Sequence, residues 1–132
     1  AIDYQDNTGD VFMRRMDTGT RVDLFPTYVG GSVTAIHFSG KAFDKPGWVC
    51  VSTYGGTAPQ QAYHGKIFAM SLTNPPVFKQ LAHHQSVSNG YWTEPHASVN
   101  RDFTRVLFSS NWRVNSARNV DAYMVSVPPG AI

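Results

Sequence analysis

Trp48-Val-Cys-Val-Ser-Thr-Tyr54 is matched by Arg105-Val-Leu-Phe-Ser-Ser-Asn111, about 57 residues further along the chain. A second family keeps nearly the same interval, about 56 residues: Asp10-Val-Phe-Met-Arg-Arg-Met16, Lys66-Ile-Phe-Ala-Met-Ser-Leu72 and Asp121-Ala-Tyr-Met-Val-Ser-Val127. Each segment reads as a strand, and the second family carries an aromatic ring near its start. The remaining strand signals fall between these families. Ser32 to Ser39 and Pro95 to Asn100 precede the first family, and Val22 to Phe25 and Val77 to Ala82 follow the second. Elsewhere apolar residues alternate or cluster in short runs broken by Gly, Pro, Asn and Asp, and helical periodicity is missing.

With the strands of one period called a, b, c and d, the chain reads c-d over 10–25, a-b-c-d over 32–82 and a-b-c over 95–127. A four-stranded antiparallel unit repeated at this spacing is what a β-propeller requires, because each twisted blade buries its faces against its neighbours. The expected fold is therefore all-β, one partial propeller domain over 1–132. It supplies about two to two and a half blades: a half blade at 10–25, a full one at 32–82 and an incomplete one at 95–127. A sandwich explains the short strands equally well but gives no reason for two matched registers.

The composition agrees with a sheet protein: charged residues are 15% and aromatic residues 13% of the chain, which supplies core material without the bias of a disordered tail. Eleven Lys and Arg against nine Asp and Glu leave a charge of +2 with no basic run, which argues against a nucleic-acid partner. No apolar stretch approaches a membrane span, and Ala1 does not open a signal sequence, so the chain reads as mature or trimmed. The single cysteine, Cys50, sits in an apolar run and reads as a small buried hydrophobe.

A propeller needs about four blades or more to close. Assembly of copies into a homo-oligomer that completes the split blades is the expectation, with the faces of Phe12, Met13, Tyr123 and Val125 exposed in a lone chain.

The run His37-Phe-Ser-Gly-Lys-Ala-Phe-Asp-Lys-Pro-Gly-Trp-Val-Cys-Val-Ser-Thr-Tyr54 resembles bacterial propeller proteins of the TolB-like and oligogalacturonate-lyase-like group. Phe68-Ala-Met-Ser-Leu72, Leu81-Ala-His-His84, Glu94-Pro-His-Ala-Ser98 and Arg101-Asp-Phe-Thr-Arg-Val-Leu-Phe-Ser-Ser-Asn-Trp112 resemble successive elements of the same proteins, so that the likeness covers 30–125. Where that group carries Ser-Pro-Asp-Gly-Thr or similar, this chain has Asn100-Arg-Asp-Phe-Thr104. Phe103 in the glycine position must avoid a positive φ or carry strain. The resemblance implies a periplasmic or secreted setting.

It also implies a manganese ion held by His and Gln ligands and cleavage of uronides by β-elimination. Here Glu94 and His96 align with a His-Pro-His ligand pair, His37 lies on the matching strand of the preceding blade, and Tyr91 stands about where a Gln ligand is expected. On a strand, Glu94 and His96 would project from one face and could converge on one divalent metal. A purely structural role for all three is the competing reading. His83 and His84 point to opposite faces, and His64, in a Gly- and Gln-rich loop, is expected at the surface.

Tyr54, Tyr91, Trp92 and Trp112 fall in loops or at strand ends, where rings stack on the C–H faces of sugars, and Glu94 and Asn111 are polar partners for hydroxyls. The same rings could instead plug the spaces between blades. The sequence reading is thus a propeller-type binding or scaffold module with a carbohydrate ligand near His37, Tyr54, Trp92, Glu94, His96, Asn111 and Trp112, His37 and His96 being its candidate metal ligands. The alternatives are a metal-dependent uronide lyase and an inert, self-assembling truncated propeller.

Overall fold

The computed structural model describes residues 2–3, 9–29, 31–55 and 59–132. Among them the regular structure is strand throughout, apart from one 3₁₀ turn at Tyr91–Thr93. Strands β1 (Ile2–Asp3), β2 (Asp10–Arg14) and β3 (Arg21–Pro26) form one sheet, followed by a two-stranded ribbon of β4 (Tyr28–Val29) and β5 (Ser32–Val33). Strands β6 (Ala35–Ser39), β7 (Trp48–Tyr54), β8 (Lys66–Ser71) and β9 (Phe78–His83) form the central sheet, and β10 (Ser98–Val99), β11 (Arg105–Ser110) and β12 (Asp121–Ser126) the last. Every pairing is antiparallel between chain neighbours, and no sheet closes on itself.

The central sheet is buried on both faces, which explains the unbroken apolar run in β7 and β8. Successive side chains on a strand point to opposite faces. Val49 lies opposite Met70 and Val51 opposite Phe68, and these four join Val11 and Leu24 of the first sheet in one core. Cys50 and Ala69 face the other way, joining Ile67 with Val99, Val106 and Phe108 of the last sheet in a second core. Cys50 is fully buried, and burial pushes its thiol up to about 12.

Two details of the expected strands change. The span 95–100 yields strand only at Ser98–Val99, because Pro95 lacks an N–H and His96 adopts a φ of 42°. The span 32–39 divides into β5 and β6, the first part pairing back onto Tyr28–Val29. The apolar faces of the outer strands are also better covered than expected. Tyr123 and Val125 pack half-buried against the second core, and the Arg21 guanidinium carbon sits 4.1 Å from the centre of the Phe12 ring.

Phe103 takes the strained alternative. Its N–H donates to Asn100 O at 3.2 Å and its φ is 60°, the left-handed position that closes a hairpin of this kind. A non-glycine residue pays roughly 1–2 kcal/mol for that conformation. The ring is 1% exposed in the second core, and burying a phenylalanine returns about 1.5–3 kcal/mol, so packing offsets the strain.

Candidate metal centre and its aromatic wall

The site lies at the seam between the central and last sheets. His37 on β6 is opposite Ser52 on β7, so both side chains share one face of the sheet. The Ser52 hydroxyl oxygen accepts a hydrogen bond from the Ala97 backbone N–H at 3.2 Å, and two residues along β6 the Ser39 hydroxyl oxygen accepts from Val99 N–H at 3.2 Å. These bonds carry the entering segment of the last sheet across β6 and set His96 against His37.

Glu94 follows the 3₁₀ turn, which is anchored by buried Thr93. The Thr93 hydroxyl donates to Gly90 O at 2.8 Å and accepts from Asn89 N–H at 2.7 Å, and the Ser86 hydroxyl donates to Thr93 O. On the far side of Glu94, Pro95 O accepts from Ser109 N–H at 2.8 Å, fixing the segment to β11. Glu94 and His96 therefore converge through a left-handed residue and two anchors, not through the alternation of a regular strand.

His37 Nε2 lies 3.3 Å and His96 Nε2 3.6 Å from the same Glu94 carboxylate oxygen, and one ligand atom from each of the three residues falls within 4.8 Å of the others. First-row divalent ions bind imidazole and carboxylate at about 2.0–2.2 Å, so donors at such spacings can share one ion, and two imidazoles with a carboxylate suit a first-row metal. Burial and then the neighbouring His96 ring push His37 down to about 4, so its imidazole is neutral at pH 7 and offers a lone pair. Its Nδ1 is buried and has no hydrogen-bond partner. The residues present thus fit a divalent ion.

The rings form a column. Tyr54 stacks on His37 at 4.6 Å and 23°, His37 on His96 at 4.2 Å and 19°, and Tyr91 leans on His96 at 4.7 Å. Trp92 meets the Tyr91 ring edge-on at 5.3 Å and is 73% exposed. Tyr91 and Trp92 therefore form a solvent-facing wall beside the donors rather than filling a gap between sheets.

No protein-family model, curated protein or solved structure matches this chain.

Of the residues singled out in the sequence, the structure unites His37, Tyr54, Trp92, Glu94 and His96. Asn111 instead braces the loop before the site: it is 1% exposed, its carbonyl oxygen accepts from Val87 N–H at 2.8 Å and its amide donates to Val87 O at 2.8 Å. Trp112 is half-exposed and stacks on Tyr123 at 4.9 Å. His64 is buried, contrary to expectation, because its Nδ1 accepts from Gln61 N–H at 3.0 Å and the Tyr63 ring covers it edge-on. Of the adjacent pair, His83 is exposed and His84 buried. The positioning serines Ser39 and Ser52 escaped the sequence reading. Their only signal is a hydroxyl on the inner face of an otherwise apolar strand.

Proposed function

We propose that this chain is a propeller-type carbohydrate-binding module whose ligand site is a divalent-metal centre formed by His37, Glu94 and His96 beside the rings of Tyr54, Tyr91 and Trp92. The convergence of two imidazoles and one carboxylate within 4.8 Å, next to an exposed tryptophan, carries the reading. A bound divalent ion supplies a Lewis-acid contact for hydroxyl or carboxylate oxygens of a sugar. The protein's own residues do the rest: Glu94 compensates the positive charge, His37 remains neutral, and Trp92 and Tyr91 offer flat apolar faces to sugar C–H groups. The propeller reading is supported by the order of the sheets, each a meander and the central one buried on both sides by its neighbours.

Calorimetric titration with Mn²⁺ and Zn²⁺, followed by a screen of neutral and uronic-acid oligosaccharides read by tryptophan fluorescence, tests the proposal. One ion per chain and a metal-dependent fluorescence change with a sugar support it. Absence of metal uptake overturns the centre. Release of unsaturated uronides from an oligogalacturonate would replace the binding module with a lyase.

A further inference from the structure

We propose that a second, separate pocket, lined by His64, the 83–87 segment and Arg113, binds a small oxyanion, a carboxylate or a phosphate. The pocket encloses about 300 Å³ where the chain leaves β9 and passes the turn that follows β11. None of the residues lining it is acidic.

The hydrogen bonds fix the protons on its two buried histidines. His84 Nδ1 accepts from Ser86 N–H at 2.9 Å, so its proton is on Nε2, which donates to Thr53 O at 2.8 Å. His84 is satisfied. His64 Nδ1 likewise accepts from Gln61 N–H at 3.0 Å, so it too carries its proton on Nε2. That Nε2–H is buried, the residue is 6% exposed, and no acceptor meets it. A stranded donor in a buried ring calls for an acceptor atom.

Arg113 supplies charge from the opposite loop. Its Nε donates to the Gln85 side-chain oxygen at 2.6 Å and its backbone N–H to Gln85 O at 2.8 Å, which holds the guanidinium at the pocket and leaves its Nη groups without an acceptor among the described residues. Gln85 and Arg113 both have positive φ, 57° and 67°, so the two loops meet through a pair of left-handed residues. The His64 Nε2–H and the Arg113 guanidinium, with the exposed His83 beside them, present donors to the pocket. The proton on His64 Nε2 and the Arg113 guanidinium, which repels a positive ion, disfavour a metal. A planar carboxylate or tetrahedral phosphate accepts from such donors and is drawn to the charge.

The test follows the side-chain ¹⁵N resonances of the histidines while inorganic phosphate, and separately acetate, is added to protein stripped of metal and dialysed free of chelator, which removes any contribution from the His37 centre. A saturable shift of His64 Nε2 with either anion, weakened about tenfold or more in Arg113→Gln, supports the pocket. The tighter of the two anions identifies the source as phosphoryl or carboxylate. His64 Nε2 unmoved by both anions, or Arg113→Gln binding like the unmodified protein, overturns it. Thermal melts of Arg113→Gln, an exposed position, verify that the variant is folded.

Discussion

The imidazoles of His37 and His96 stack face to face at 4.2 Å, and one carboxylate oxygen of Glu94 lies within 3.6 Å of a nitrogen from each ring. One ring from β6 and, from the segment that leads into β10, a second ring and an acid thus meet at a single point. Glu94→Gln keeps the shape but removes the charge, and metal affinity should fall by about 30-fold or more, roughly 2 kcal/mol. Calorimetry on folded variant protein measures it, and an unchanged affinity would move the ion elsewhere.

Acid should weaken the fold through its histidines. Burial holds His37, His64 and His84 below the ordinary value, His37 at about 4. Between about pH 6.5 and that value the unfolded chain binds protons that the folded chain refuses, so stability rises with pH and is lost as pH falls through the window. Urea midpoints at about pH 7.5 and pH 5 should differ in that direction, and the difference should shrink in His84→Gln. A midpoint independent of pH would contradict the buried, neutral state of these rings.

At Phe103 the backbone asks for glycine and the core asks for a ring. Phe103→Gly relaxes the left-handed residue but empties the space between the sheets. A net loss of about 2–4 kcal/mol is expected, the cavity cost less the recovered strain. Chemical denaturation decides, and a stabilised variant would mean that the ring contributes little to the core.

Asn111 tests the separation of scaffold from site. Its three contacts with Ser86 and Val87 hold one end of the loop that carries Tyr91, Trp92 and Glu94. Asn111→Ala should cost about 1–3 kcal/mol in unfolding free energy by removing two hydrogen bonds to the half-buried Val87 N–H and C=O. Trp112→Ala, at an exposed ring, should cost less than Asn111→Ala.

The outer strand β12 has no further partner beyond β11 among the described residues. If copies associate to complete the sheets, light scattering should give a mass at a whole-number multiple of the 14.6 kDa chain. A single-chain mass at all concentrations would remove self-assembly from the account.

Much of the strand order was legible because the continuous apolar runs of β7 and β8, and the recurrence of their pattern in β11 and β12, mark strands by composition and spacing. The small ribbon of β4 and β5 was not, since two residues per strand carry no period. Glu94 and His96 were legible as a pair, but for an incomplete reason: spacing by two suggested a strand, whereas a positive φ at His96 and the anchors at Thr93 and Pro95 bring them together. His64 was misjudged because loop composition says nothing about the Gln61 N–H that draws its ring inward.

The two serines on β6 and β7 have a consequence for how the sheets can slide. Oily faces alone tolerate small displacements, since one methyl contact replaces another at little cost. Two hydroxyls, each engaged by a particular amide of the adjoining segment, index the junction like teeth. A shift of one residue would unseat both bonds together, and the imidazole pair beside them would lose its alignment in the same step.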